Sequence, residues 1–147
     1  EPLLVWWPGH APAERVNERT VFTAVDLLPS LCKIAGAAIT GPVAAKLDGE
    51  DLSAAFSGGA PARTKPVFWE YGRNEDFFRY PADGRSPSLA VRQGSWKLLV
   101  NPDGSRPELY DLAADPGEQR NLAADQASRR EELAGLLTAW RRSWPVR

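Results

Sequence analysis

This sequence of 147 residues contains one cysteine, one histidine and no methionine. A single cysteine excludes a disulfide within the chain, and a single histidine excludes a metal site built from several histidines. No apolar run approaches the roughly 20 residues that a helix needs to cross a bilayer. The formal net charge of −1 provides no basic field to attract nucleic acid or an anionic membrane surface. We therefore expect a protein without nucleic-acid or membrane partners.

The absence of methionine extends to the first position, which is Glu1, and an apolar stretch follows almost at once. Because an open reading frame begins with Met, we expect a piece of a longer polypeptide, with a processed secreted protein as the alternative. The compartment stays open, since one cysteine is compatible with a cytoplasmic, a periplasmic or a secreted protein. With 43% hydrophobic residues, the chain is long enough to bury a core.

The side chains that most often carry catalysis are scarce. His10 lies in a stretch that predicts an exposed loop, and Cys32 lies on the apolar side of a predicted helix, where a core role is expected. Neither a glycine-rich phosphate loop nor an EF-hand pattern is present. The sequence therefore predicts no complete active site, and we assign no catalytic residue and no metal ligand to this chain.

Two regions of different character are joined by residues 57–66, which have the composition of a linker. In the first region, residues 3–7 predict a buried strand that ends at Pro8-Gly9. Further on, "VDLLPSLCKIAG" predicts a helix with Asp26 as its N-cap. The apolar side of this helix comprises Leu27, Leu28, Leu31, Ile34 and Ala35.

The second region has the pattern of strands followed by a helix. Residues 66–71 and 108–112 have strand composition, and "AVRQGSWKLL" predicts a hairpin with a type II′ turn at Gly94-Ser95. Residues 125–143 carry an apolar stripe at helical spacing, so we expect this helix to cover one face of an antiparallel sheet. The facing residues are Leu89, Val91, Trp96, Leu98 and Val100 on the hairpin and Leu133, Leu136, Leu137, Trp140 and Trp144 on the helix.

Arg92 and Lys97 face each other on the opposite side of the predicted hairpin. Like charges in such a pair destabilise a sheet by up to about 1 kcal/mol unless an acid lies nearby. We favour ion pairs on a solvated face; in the alternative, Arg92 reaches an anionic substrate. The candidate acids on the flanking strands are Glu70, Glu108 and Asp111.

Six phrases, spread over nearly the whole chain, point to a family. They are "EPLLVWWPG", "VFTAVDLLPSLCKIAGA", "LDGEDL", "VFWEY", "AVRQGSWKLL" and "ELYDLAADPGEQRNLA", of which the last two are the most specific. In this order they resemble the C-terminal part of the type I sulfatases, the arylsulfatase family of the alkaline-phosphatase-like superfamily.

The resemblance implies an α+β fragment. Residues 1–60 would be the tail, a strand plus helices, of a larger α/β sulfatase catalytic domain. Residues 66–147 would be the C-terminal sulfatase subdomain, a small four-stranded antiparallel sheet packed on a C-terminal helix. The partner of this chain would be the missing N-terminal sulfatase domain. Without it, the apolar strand at residues 3–7 would invite self-association.

The resemblance also implies a parent enzyme that hydrolyses sulfate esters with a formylglycine beside a divalent cation, usually calcium. That family makes its formylglycine from Cys or Ser in a C/S-x-P/A-x-R motif, which this sequence lacks, since Lys-Ile-Ala-Gly follows Cys32. The metal ligands would likewise belong to the N-terminal domain. We therefore expect the chain to hold no cofactor and to be inactive alone, while it completes the fold and one wall of the substrate cleft.

The cleft candidates follow the phrase "FWE", after which many relatives carry a His and this sequence has Tyr71. Two other functions stay open. One is hydrolysis of phosphomonoesters or phosphonates in the same superfamily, and the other is a self-standing carbohydrate-binding module that stacks sugars on Trp69, Tyr71 and Tyr80. In the sulfatase interpretation, the residues that could line the cleft are Trp69, Glu70, Tyr71, Arg73 and Arg92, although Trp69 and Tyr71 could equally belong to the sheet core.

Overall fold

The chain divides into two compact units, Glu1–Lys65 and Pro66–Arg147. The computed structural model describes residues 3–71 and 85–144. Most of the loop predicted between the first strand and the hairpin, with Arg73 and Tyr80, lies outside the described residues. None of the helices in the described ranges is long and apolar enough to cross a membrane.

The second unit contains a four-stranded antiparallel sheet in which the strands follow chain order. The register runs from Leu89 opposite Val100 to Gln93 opposite Trp96, which confirms the predicted hairpin. Gly94 has a φ of 59°, as the first position of a type II′ turn requires. The strands are β1 (Val67–Glu70), β2 (Leu89–Gln93), β3 (Trp96–Val100) and β4 (Glu108–Asp111).

One face of this sheet packs on the C-terminal helix, α2 (Ala127–Arg142), which follows α1 (Leu27–Ile34) of the first unit in chain order. Trp140 of this helix stacks on Phe68 of β1, with 5.0 Å between the ring centroids. Full burial of each aliphatic side chain contributes about 1.5–3 kcal/mol. The expected helix-on-sheet core is thus confirmed, except that Trp144 of the predicted stripe lies beyond the end of α2 and is 47% exposed. Its buried members are Leu89, Val91, Leu98, Val100, Leu109, Ala123, Leu133 and Leu137.

The first unit has one α-helix, α1 (Leu27–Ile34), and three 3₁₀ segments among its described residues. The prediction of a strand at residues 3–7 is wrong for this structure, because this segment has no strand pairing and both Leu4 and Trp6 are 89% exposed. A strand is stable only when it pairs with another strand. The composition of residues 3–7 predicts a tendency to form a strand, but it does not show whether a pairing partner is present. The 3₁₀ segments are Ala24–Asp26, Gly41–Lys46 and Ser53–Ser57.

The buried side of α1 is not the predicted one. Leu28 and Leu31 of the apolar stripe are 52% and 50% exposed, whereas Asp26 and Ser30 are completely buried. Hydrophobic spacing predicts which residues share a face of a helix, and the partner available to each face decides which one is buried. Here the polar contacts of Asp26 and Ser30 decide which side of α1 is buried.

Asp26 is the centre of these polar contacts. It occupies the N-cap position of α1, yet its carboxylate does not cap the helix. Instead it accepts hydrogen bonds from the backbone N–H groups of Thr23 (2.8 Å) and Glu50 (3.0 Å), and it forms an ion pair with Arg63. Burial alone would raise the pKa of this carboxyl, but the Arg63 guanidinium and the two N–H donors hold the pKa below its ordinary value of 3.8.

A second contact holds α1 one turn further along. The Ser30 hydroxyl oxygen accepts a hydrogen bond from the backbone N–H of Leu52 at 3.0 Å. Just before Glu50, the chain passes so close to the helix start that a Cβ on Gly49 would lie 1.9 Å from the carbonyl oxygen of Val25. Only glycine fits at this approach, so the turn and the helix start are closely packed.

The end of the predicted linker is bound to the same region. Thr64 donates its backbone N–H and its hydroxyl to the Glu50 carboxylate, both at 2.7 Å. Lys65 donates its ammonium group to the carbonyl oxygens of Leu47 (2.7 Å) and Gly49 (2.9 Å). The last residues before the second unit are therefore fixed to the first one.

Replacing Asp26 with Asn should destabilise the first unit by about 3 kcal/mol, because buried Arg63 would lose its nearest counter-charge and keep only Glu50, whose carboxylate lies 4.0 Å from its Nε. Amide hydrogen exchange along α1 measures this change, and exposed Asp48→Asn is the matched control. Equal protection of α1 in the Asp26→Asn variant and the wild type would show that the ion pair does not hold the helix.

The same carboxylate should make the first unit acid-sensitive. Because its folded-state pKa is depressed, its stabilisation is complete above about pH 4 and is lost as the pH falls through the folded-state value. Between about pH 5 and pH 2, protection of α1 should fall more steeply in the wild type than in Asp26→Asn. Parallel profiles would contradict this assignment.

The exposed segment at residues 3–7 leads us to expect self-association of the 147-residue chain. Leu4 and Trp6 present large apolar side chains on a segment whose backbone has no strand partner in the described structure. Sedimentation velocity should show dimers or larger species, which the double substitution Leu4→Ser/Trp6→Ser reduces and Val16→Ser does not. A monodisperse wild-type monomer would contradict the expectation.

Candidate functional site

The end of β1 places its three cleft candidates in two different directions. Trp69 lies opposite Ala90 on the sheet face away from α2, and it is 44% exposed. Tyr71 follows the strand, donates its backbone N–H to the carbonyl oxygen of Ser88 at 2.7 Å, and is 53% exposed. Since β1 is an edge strand, the two rings are accessible beside one sheet edge.

Glu70, between them, belongs to the helix side of the sheet. Its carboxylate lies 3.4 Å from Nε of Arg141 on α2, and the side chain is largely buried. This ion pair joins the sheet edge to the end of the helix, which gives Glu70 a structural role in the second unit.

Lys97, on the face away from α2, pairs with an acid that the sequence pattern missed. Its Nζ lies 2.7 and 2.8 Å from the two carboxylate oxygens of Glu118. The expectation that Glu70, Glu108 or Asp111 would supply this acid is therefore wrong. Glu118 lies in the segment after β4 and has a left-handed φ of 54°, a conformation that strand alternation does not predict.

Arg92 lies beside this ion pair but does not share it. Its Nε donates to the carbonyl oxygen of Gly94 at 3.1 Å, and within the described ranges it has no ion pair. Burial lowers the pKa of its guanidinium, while the negative charge of Glu118 acts in the opposite direction. The expected pairing of both cations is thus confirmed for Lys97 alone, and Arg92 keeps its guanidinium on the same sheet face as Trp69.

The segment after β4 is held by side chains of the phrase "DPGEQRNLA". Asn121 accepts the N–H groups of Leu109 (3.0 Å) and Ala123 (2.9 Å) and donates to the carbonyl oxygen of Pro107 (3.1 Å). Asp115 accepts the N–H of Arg120 at 2.8 Å, and this and neighbouring backbone donors lower the pKa of its carboxyl. These contacts fold the segment back so that Glu118 meets Lys97.

The two residues considered for catalysis, His10 and Cys32, both belong to the first unit. The His10 ring stacks on Trp7 with 4.2 Å between centroids, and Cys32 is a free, partly buried thiol. Among residues 3–71 and 85–144, no group of three or more His, Cys, Asp or Glu side chains could hold a metal ion. The described residues therefore do not fit a calcium site, and the formylglycine motif is absent from the sequence.

The comparisons with known proteins indicate the same family. Residues 1–140 match the family model described as N-sulphoglucosamine sulphohydrolase, C-terminal. The chain is 30% identical to human (Homo sapiens) arylsulfatase A over 93% of its length and 29% of that protein. It is 31% identical to choline-sulfatase of Rhizobium meliloti, with 95% of this chain and 24% of that protein covered. It is 34% identical to delta 4,5-hexuronate-2-O-sulfatase of Bacteroides thetaiotaomicron, with 84% and 24% covered.

Solved structures agree with these relatives. A 2-O GAG sulfatase superposes with a TM-score of 0.56 and 29% identity over 83% of this chain and 26% of that one. A structure in complex with its substrate D-glucosamine-2-N,6-O-disulfate has a TM-score of 0.53 and 22% identity over 80% of this chain and 23% of that one, and it shows the shared fold.

In both kinds of comparison, the chain spans about a quarter of the length of the proteins that it matches. The matched part is the C-terminal region of these enzymes, and it includes both the strands and the helix described above. The chain therefore belongs to the sulfatase family, whose C-terminal region it represents.

Proposed function

We propose that this chain acts as the C-terminal part of a sulfuric ester hydrolase, in which it completes the fold and forms one wall of the substrate cleft. The match of residues 1–140 to the C-terminal sulfatase model carries this proposal. On this proposal the chain alone does not turn over substrate. The formylglycine and the calcium of the parent enzyme would be supplied by the N-terminal sulfatase domain.

The exposed rings beside β1 support the cleft-wall role. Trp69 and Tyr71 offer apolar faces on which an aryl group or a sugar ring can stack. Arg92 provides a cation on the face that carries Trp69, and it has no competing ion pair among the described residues. Arg73, outside the described residues, stays a candidate by its place in the sequence, whereas the contact of Glu70 with Arg141 favours a structural role.

The other functions are less well supported. The names of the relatives are those of sulfatases, which favours sulfate over phosphate or phosphonate esters. Exposure of Trp69 and Tyr71 also suits a self-standing carbohydrate-binding module, but a match of nearly the whole chain to one region of an enzyme family favours a part of an enzyme.

In a polypeptide that joins this chain to its sulfatase N-terminal domain, Trp69→Ala should raise KM for an aryl sulfate by about two- to tenfold, since aromatic stacking contributes about 0.5–1.5 kcal/mol. The kcat should change little, because the ring lies at the wall and not at the reacting atoms. Steady-state kinetics measure the split, and Glu70→Gln is the control that should lower thermal stability and leave KM unchanged. An unchanged KM in Trp69→Ala would remove this ring from the cleft wall.

The 147-residue chain alone should show no turnover of aryl sulfate and no saturable heat of binding with a sulfated oligosaccharide in calorimetry. A parent cleft has several walls, and one wall alone buries too little of a ligand for stable binding. Saturable binding that Trp69→Ala and Tyr71→Ala abolish would instead support the self-standing module.

A further inference from the structure

The sheet of the second unit has an outer face, the one away from α2, which is formed by every second residue of its strands. Two of the charged residues on this face have ion-pair partners. Lys97 pairs with Glu118 at 2.7 Å, and Glu108 lies 3.7 Å from Arg106. Arg92 has no ion pair among residues 3–71 and 85–144. The outer-face residues are Val67, Trp69, Ala90, Arg92, Lys97, Leu99, Glu108 and Tyr110.

The guanidinium of Arg92 is oriented by one hydrogen bond, which leaves its two terminal amino groups for another partner. Its Nε donates to the carbonyl oxygen of Gly94 at 3.1 Å, and the described parts of the chain provide no acceptor for Nη1 or Nη2. The side chain rises from β2, an inner strand, and burial lowers its pKa. Because the surroundings are less polar than water, an oxyanion beside these amino groups is bound more strongly than at a fully solvated arginine.

Glu118 neutralises the second cation of the outer face. Lys97 lies directly opposite Arg92 in the register, and its Nζ is 2.7 and 2.8 Å from the two carboxylate oxygens of Glu118. Glu118 has a left-handed φ of 54°, which is unfavourable for a residue with a side chain, so the segment around it must hold it there. This contact leaves the guanidinium of Arg92 as the cation that is available to a ligand on the described outer face.

An exposed aromatic ring lies beside this cation. Trp69 on β1 is opposite Ala90, two residues before Arg92 on the same face of β2. Diagonal neighbours of this kind are about 7–8 Å apart, which is within reach of long side chains. Ala90 contributes only a methyl group between them, and the indole is 44% exposed. A flat apolar surface and a cation are thus adjacent, an arrangement that suits a ring with an acidic substituent.

We propose that Arg92 binds a second oxyanion of the substrate, one that is not hydrolysed, while Trp69 stacks on the ring that carries it. The substrate class is then sulfate esters with one further acidic group, such as a carboxylate. This inference rests on the proposed function, which places the outer face at the cleft, and it makes Arg92 a specificity-determining residue. Since Glu118 neutralises Lys97, the site takes one further acidic group and not two.

Aryl sulfonates test the proposal, because they resemble aryl sulfates and are not hydrolysed. The probes carry a chain of increasing length opposite the sulfonate, which ends either in a carboxylate or in the matched carboxamide. In the polypeptide that joins this chain to its N-terminal domain, calorimetry should show, at one chain length at least, a carboxylate that binds about tenfold more tightly than its amide, the size expected of a charge-assisted hydrogen bond. Equal affinities throughout the series would overturn the proposal without any variant.

Three variants identify the cation. Arg92→Gln should abolish the preference for the carboxylate and leave the affinity of the amide unchanged, whereas Arg92→Lys should retain part of it, since the charge remains and the planar fork is lost. Arg142→Gln is the matched control, because it removes the same charge from an exposed position on α2, which packs on the other sheet face. A full preference in Arg92→Gln would overturn the assignment.

A probe whose chain ends in two carboxylates tests the role of Glu118. The wild type should bind it no more tightly than the probe with one carboxylate. Glu118→Gln should bind it several-fold more tightly than the wild type does, because Lys97 then becomes a second available cation. A wild type that prefers two carboxylates, or an unchanged affinity in Glu118→Gln, would contradict the restriction to one acidic group.

Calorimetry does not depend on turnover, so this proposal and the proposed function can fail separately. A joined polypeptide that binds the carboxylate through Arg92 and hydrolyses no sulfate ester would contradict the proposed function alone. One that hydrolyses aryl sulfates and shows no preference that depends on Arg92 would contradict the second oxyanion site alone.

Discussion

The two-residue turn at Gly94-Ser95 sets the register on which the rest of the second unit depends. With Gln93 opposite Trp96, every second residue of the hairpin points to α2 and the others point away. A shift by one residue would place Arg92 and Lys97 in the core and expose Val91 and Leu98. The glycine at φ 59° makes the tight turn accessible, so a single backbone position supports the whole helix-on-sheet core.

The residues of the phrase "ELYDLAADPGEQRNLA" form structural contacts with the sheet of the second unit. The Asn121 side chain accepts the backbone N–H of Leu109 in β4, as a neighbouring strand would. Asp115 accepts the backbone N–H of Arg120 in the turn before Asn121. Together they bring Glu118 over the outer face, where it pairs with Lys97 at 2.7 Å and relieves the repulsion between Lys97 and Arg92. In this chain the phrase therefore provides an ion pair across the sheet, which is a structural contribution and not a catalytic one.

The elements that the sequence predicts well are those whose own residue pattern defines the buried face. The alternation of apolar residues and one turn were sufficient to predict the hairpin. The helical spacing of apolar residues was sufficient to predict the buried stripe of α2 as far as Trp140. The failures concern distant partners. Leu28 and Leu31 have core spacing but lie outward because Asp26 meets Arg63, 37 positions away in the sequence, and the acid of Lys97 comes from a loop with a left-handed residue. Of the candidate site, the exposure of Trp69 was open from the sequence, and the contact of Glu70 with Arg141 could not be predicted because the two residues are 71 positions apart.

The inverted burial of the first unit follows from these contacts and not from a lack of apolar residues. A self-contained domain buries its leucines and solvates its carboxylates, since a buried ion pair alone contributes little net stability. Here the ion pair of Asp26 with Arg63 is buried, while Leu28 and Leu31 of α1 are about half exposed. Arg63 also lies two residues before the boundary at Lys65, in the stretch that Glu50 and the carbonyl oxygens of the preceding turn hold in place. The ion pair therefore orients α1 more than it stabilises the unit. It determines which side of α1 faces outward, and it also holds the chain close to the boundary of the unit. The contacts that orient α1 therefore also fix the last residues of the first unit, from which the chain continues into a separately packed unit.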